Sequence, residues 1–140
     1  MNAVLDGGAS VVGFDLISPT SVERHVRGFD REFLKALNRA SRKRQVALAK
    51  IQHQLKPISP FQGYSFAVGH YKNIRPANVF EDPDGFIRRV PLLFRSLGQD
   101  GVERTDPSIA LELAERRLGI RPEIGQGRHV RLAGYDVPDS

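Results

Sequence analysis

The sequence predicts an α/β fold: a mixed β-sheet flanked by helices, with a β-hairpin around residues 82–85. Three observations carry that reading. Strand-like apolar runs alternate along the chain with helix-period patterns, which is the order of an α/β domain. One run, Ser10–Leu16 (SVVGFDL), is apolar on both faces, as suits a buried parallel strand. The tetrapeptide Asp82-Pro83-Asp84-Gly85 is a turn signal, and a tight turn joins antiparallel strands, so the sheet is expected to be mixed.

The elements follow in order. Gly7-Gly8 stops any preceding helix, Ser10–Leu16 is the first strand with Asp15 near its end, and Pro19 lies in the loop after it. Asp30 stands as the N-cap of a helix to Ser41, in which Phe33, Leu34, Leu37 and Ala40 share one face. Arg39, Arg42, Lys43 and Arg44 close it, where cations offset the negative helix end by about 0.3–1 kcal/mol each. Gln45–Ile51 (QVALAKI) is the next strand, Leu55–Ala67 a loop with a short helix, and Val68–Lys72 a further strand start. In the turn, Pro83 takes the second position and Gly85 the fourth, with Gly85 expected at positive φ. Phe86–Ser96 then pairs antiparallel with the segment leading into the turn, and Pro91 argues for an edge position. Gly98–Gly101 is a second turn. Asp106 caps a helix to Leu118, with Pro107 first, Gly119 just past the end, and Ile109, Leu113, Ala114 and Leu118 as its apolar stripe. Arg128–Leu132 is a final strand.

Composition narrows the function. A chain of 140 residues fits one domain and buries roughly two-thirds of its unfolded surface. The net charge of +5 allows an anionic partner but argues more directly about solubility. With no cysteine there is neither a disulfide framework nor a thiolate metal site. The apolar runs fall far short of the ~20 residues of a spanning helix. MNAVLDGGAS has no signal-peptide regions, so the chain as it stands reads as soluble.

Catalytic motifs are missing. The nearest approach to a phosphate loop, GIRPEIGQG, follows a helix instead of opening one. His25, His53, His70 and His129 have no metal-ligand spacing, and Ser18, Ser21 and Ser108 lack a nucleophile-elbow context. No cofactor is implied. The basic cluster RASRKRQ has no interleaved aromatic, so a solvated helix end accounts for it better than a nucleic-acid patch. Asp15 lies where open α/β sheets bind ligands, although capping the following loop explains it equally well. Arg88 and Arg89, if in a strand, point to opposite faces. One is then expected to be partly buried against a carboxylate, Asp15 first and otherwise Asp82 or Asp84, with the other in solvent.

Four ordered segments add a resemblance. VVGFDLIS, VGHYKN, DPDGFIRRVPLL and DPSIALELAERRLG resemble the motifs of the type-two CHASE domain. The matching positions are Gly8 to Asp15, then Gly69, His70, Asp82, Asp84, Gly85, Arg88, Arg89 and Pro91, then Pro107 and Ser108. The chain departs from the family pattern in having no Trp and in stopping shortly after GYDVP, so it is expected to be a single, shortened domain over residues 1–140. The resemblance implies an extracytoplasmic, periplasmic sensor without enzymatic activity. Its implied host is a bacterial inner-membrane receptor: an adenylate or guanylate cyclase, a histidine kinase of a two-component system, or a Ser/Thr kinase. It further implies a homodimer in that receptor, anchoring by segments outside this chain, no nucleic-acid partner, and an unknown small-molecule or anionic ligand. Asp15, His70, Arg88 and Arg89 are the ligand-binding candidates, and Asp82, Asp84 and Gly85 form the structural turn. Two other readings stand beside it: a small α/β enzyme using His70, Arg88 and Asp15 on an anionic substrate, and a basic nucleic-acid-binding module, whose DNA affinity would fall with salt.

Overall fold

The structure is a computed structural model that describes residues 1–53, 56–97, 102–125 and 129–138. Its centre is β2, Val46–Lys50, flanked by β1, Val12–Phe14, and β3, Ile74–Pro76, in a parallel sheet of order β1-β2-β3. Alternation along β2 sorts its side chains onto two different surfaces. Val46 and Leu48 join Leu37 and Ala40 of α2 (Arg31–Arg42) and Tyr64 and Ala67 of α3 (Gln62–Ala67) in the main core. Phe14, Phe33, Tyr64 and Phe61 continue that core as edge-to-face pairs, with ring centroids 5.4–5.6 Å apart. A short first helix, α1 (Asn2–Asp6), adds Leu5 at its margin.

The opposite face of the sheet carries small residues. The register aligns Gly13 with Ala47 and Ala49 with Arg75, and α4 (Ile109–Leu118) packs there. A Cβ on Gly13 would lie 2.7 Å from Leu113 Cδ1, so the absence of a side chain sets how closely the helix approaches. Two further sheets are antiparallel: β4 (Leu93–Leu97) with β5 (Glu103–Pro107), and β6 (Glu123–Ile124), β7 (His129–Leu132) and β8 (Tyr135–Pro138). The mixed α/β class holds, with the parallel and antiparallel pairs divided among three sheets.

Several local expectations change. Ser10–Leu16 yields only the three-residue, half-buried edge strand β1, and Leu16 is exposed. Val68–Lys72 is not a strand, because Gly69 (φ 77°) and His70 (φ 56°) are left-handed and lead into a 3-10 turn, His70–Asn73. Asp106 does not cap α4. Asp106 and Pro107 pair with Phe94 and Leu93 in β5, and the cap is Ser108, whose Oγ accepts from Leu111 N at 3.2 Å. The buried face of α4 centres on Leu111 and Glu112, not on the expected stripe, and Leu118 is half exposed. Gly119 does end the helix, at φ 69°, donating to Glu115 O at 2.8 Å.

The turn at Asp82–Gly85 forms, with Gly85 at φ 82°, Gly85 N bonded to Asp82 O and Asp82 N to Phe86 O, both at 2.8 Å. No ladder continues from it. The antiparallel partner of Leu93–Leu97 is the downstream Glu103–Pro107, so the pairing expected for Phe86–Ser96 is made with the other neighbour. Gly98–Gly101 and Arg128 lie outside the described residues.

Candidate functional site

The chain after α2 turns through Arg44, which holds φ 57° in a place that glycine usually takes. Arg44 N bonds Ser41 O at 3.0 Å and Gln45 N bonds Ala40 O at 2.9 Å, a double closure that leads straight into β2. Beside it stand the turn Tyr71–Asn73 that precedes β3, and the inner face of α4. These three elements, with Leu93 of β4, Thr105 to Pro107 of β5 and the segment after α4, line a cleft of about 670 Å³ near the N-terminal ends of β2 and β3, in the size range of small-molecule sites.

An ionic cluster forms its floor. The Glu112 side chain, 4% exposed, accepts from Arg75 Nε at 2.7 Å through one oxygen and from Arg116 Nε at 2.7 Å through the other. Arg116 is only 3% exposed. Its Nη1 reaches Val46 O at 2.6 Å and Arg44 O at 3.1 Å, and its Nη2 reaches Asn73 Oδ1 at 2.7 Å and Glu112 Oε1 at 2.6 Å. Four of its five N–H donors are thus hydrogen-bonded, and the Nη2–Glu112 contact is an ion pair. Asn73 in turn donates to Val68 O at 2.6 Å, so the cluster ties α4 to the starts of β2 and β3. Burial alone would raise the Glu112 carboxyl, but Arg75 and then Arg116 pull it below its ordinary value, and it stays ionised.

Arg75 differs from Arg116. Its Nε goes to Glu112, and its Nη1 to Tyr71 O at 2.8 Å and Ile74 O at 3.0 Å. Nη2 makes no bond among the described residues, and the side chain is 15% exposed at the cleft wall. The other acids of the wall are already matched: Glu115 with Arg44 at 3.1 Å, and Asp106 with Lys50 at 2.8 Å.

The residues singled out from sequence lie elsewhere, on separate features. Arg88 and Arg89 are both exposed, at 54% and 67%. Arg88 bonds Asp84 at 2.8 Å and Asp82 at 3.2 Å, and Arg89 bonds Asp82. Neither turns inward and neither meets Asp15, because the segment has no strand ladder and alternation does not govern it. Those arginines hold the Asp82 and Asp84 carboxyls below the usual range, with Arg89 first at Asp82 and Arg88 at Asp84. His70 is exposed, its ring edge-on to Phe66 at 5.6 Å. Asp15 is exposed just after β1 and has no bonded partner among the described residues. Asp30 precedes α2 as expected but does not bond its N–H groups. It accepts from Ser21 Oγ instead, and that bond, outweighing burial, lowers its pKa. Tyr64, buried and hydrogen-bonded to Asp30, is pushed up to about 12.

The cluster Arg75, Glu112 and Arg116 escaped sequence reading. Its one signal is the Glu112–Arg116 spacing of four on a helix, which ordinarily marks a solvated pair. Only the position of α4 against a sheet face of small residues shows that this pair is interior.

The architecture is therefore a parallel α/β core with a charged cleft at one end. Comparison with protein families places it: the CHASE2 domain matches residues 1–137, nearly the whole chain. The chain belongs to that family of extracellular sensory domains. No curated protein and no solved structure matches it. Among the described residues no helix is long and apolar enough to cross a membrane.

Proposed function

We propose that residues 1–140 form the signal-input domain of a bacterial membrane receptor, exposed on the periplasmic side of the inner membrane. The observation that carries this reading is the family match over nearly the whole chain. The host is a cyclase, a histidine kinase or a Ser/Thr kinase, anchored by segments outside this sequence, and works as a dimer. The domain itself performs no catalysis and holds no cofactor; it reports a ligand by a change in its own packing. The cluster at Glu112 supports such a role physically. It locks a helix to two strand starts through bonds that all meet at one cleft, so a ligand there would bear on several elements together.

The test is made in the intact receptor, reconstituted in vesicles. Its output is followed while pH, salt and small anions are varied on the domain's side. Replacing residues 1–137 with an inert folded domain of similar size should leave output present but unresponsive. Identical responses before and after replacement would sink the reading. So would turnover of a small substrate by the purified chain that is lost on His70→Ala.

A further inference from the structure

We infer that the cleft between α4 and the starts of β2 and β3 binds a small organic anion, a carboxylate or phosphate with an apolar portion. Arg75 supplies the directional contact and Lys72 and Arg121 the remaining charge. This names the ligand class of the sensor proposed above and rests on that reading.

Charge matching within the cleft is the first argument. Every acid lining it already has a cation: Glu112 has Arg75 and Arg116, Glu115 has Arg44, and Asp106 has Lys50. Lys72 and Arg121 also line it, and neither has an acidic partner among the described residues. One of the two guanidinium charges on Glu112 is likewise uncompensated. Counting Lys50, which neutralises Asp106 from outside the lining, the site has three surplus positive charges, and such a surplus attracts anions.

Preorganisation is the second. Arg75 is fixed through Nε and Nη1 by three bonds, so the orientation of the free Nη2 edge is set before any ligand arrives. A guanidinium held in this way loses little rotamer freedom on binding, and its N–H groups match carboxylate or phosphate oxygens. Arg116, almost wholly buried and bonded to Glu112, Asn73 and two backbone carbonyls, serves as framework. Apolar wall residues, among them Leu93, Leu111 and Ile124, give the organic part of the ligand a surface. The turn arginines lack these features: Arg88 and Arg89 are exposed, and both bond the turn's own carboxylates.

The experiment is isothermal titration of the 140-residue chain at low salt with inorganic phosphate and a four-carbon dicarboxylate, the matching diamide serving as uncharged control. Binding of at least one anion and none of the diamide is expected. Lys72→Glu and Arg121→Glu are exposed changes that leave the Glu112 cluster intact, and each should weaken binding about tenfold. Arg88→Ala and Arg89→Ala should leave it unchanged. No heat from either anion at tens of millimolar overturns the assignment, as does binding that survives both reversals or falls equally with the turn variants. A receptor that responds while its domain binds neither probe sinks the cleft and leaves the sensor reading standing. Anion binding by a domain whose receptor ignores its replacement does the reverse.

Discussion

Two arginine pairs in this molecule use the same chemistry in opposite surroundings. Arg75 and Arg116 share Glu112 beneath α4, where the carboxylate and Arg116 are almost wholly removed from water. Arg88 and Arg89 share Asp82 on the exposed turn, with Asp84 as a second partner. The bond lengths do not tell them apart, since 2.7 Å inside compares with 2.8 Å outside. What differs is the alternative open to each group when its partner is removed. On the turn, water replaces the lost bond; under α4 nothing does. Environment, not geometry, decides which pair the fold depends on.

The largest expected effect lies in the buried cluster. Arg116→Ala leaves Glu112 short of one partner and strips hydrogen bonds from Val46 O, Arg44 O and Asn73. Loss of one member of a buried pair typically costs about 3–5 kcal/mol, and that range is expected here in urea unfolding. Replacing Arg75, Glu112 and Arg116 together by Leu, Leu and Met sharpens the point. If that triple variant is as stable as the parent yet binds no anion, the charges are retained for the cleft and not for the fold.

Acid separates the two regions next. In the unfolded chain the Glu112 carboxyl titrates at its ordinary 4.5, and in the fold it titrates lower. Its contribution is therefore fully present above that ordinary value and is lost as pH falls through the depressed one. Asp82 and Asp84 are depressed as well, so all three act in the same direction. Salt distinguishes them. At 1 M the screening length is about 3 Å, which weakens the exposed turn pairs far more than the Glu112–Arg116 contact, both of whose side chains are almost wholly buried. The acid transition remaining at high salt should be smaller in Glu112→Gln than in the parent, and unchanged in Asp82→Asn. The opposite assignment would break the comparison.

How much of this was legible before the structure follows from what each feature depends on. α2, the Gly119 stop and the Asp82–Gly85 turn are set by side chains next to one another in sequence, so their signals are local. The strand β2 was legible because Val46 to Ala49 is an unbroken apolar run, as suits a central strand. The α4 cap was misplaced because Asp106-Pro107 and Ser108 both carry start signals, and only the pairing of β5 with β4 consumes the first. Val68–Lys72 failed because a left-handed His70 cannot be foreseen from its residue type. The site depends most on tertiary structure. Glu112 and Arg116 read as a solvated pair until the small residues Gly13, Ala47 and Ala49 are seen to admit α4 against the sheet. The inward arginine expected at Arg88 or Arg89 is not there, since both are exposed; the arginines that do meet a buried carboxylate are Arg75 and Arg116, and no turn or motif marks Arg75.

A smaller effect belongs to the turn backbone. Gly85 sits at φ 82° with open space where a Cβ would be, so Gly85→Ala meets conformational strain and no clash. A cost of about 1 kcal/mol is expected, the penalty of a left-handed residue that is not glycine. It should appear chiefly as faster amide exchange at Asp82 and Gly85, whose N–H groups close the turn. Exchange that accelerates in β2 instead would show that the turn is coupled to the core.

The smallest effect is expected from the two turn arginines themselves. Arg88 spans both Asp82 and Asp84, and its guanidinium lies 5.2 Å from the centre of the Phe86 ring; Arg89 has Asp82 alone. Arg88→Ala should therefore exceed Arg89→Ala, yet both side chains are more than half exposed, and solvent replaces what each loses. Melting temperatures should fall by no more than about a degree or two in either variant. The more sensitive readout is local. Arg88→Ala should raise the Asp82 and Asp84 pKa values towards their ordinary 3.8, since its bonds are a principal cause of both depressions. Arg89→Ala should move Asp82 and leave Asp84 where it is. Carboxylate titration by NMR checks both shifts in one experiment. If either alanine variant instead unfolded as readily as Arg116→Ala, an exposed pair would be supporting the fold, and the contrast between the two arginine clusters would fail.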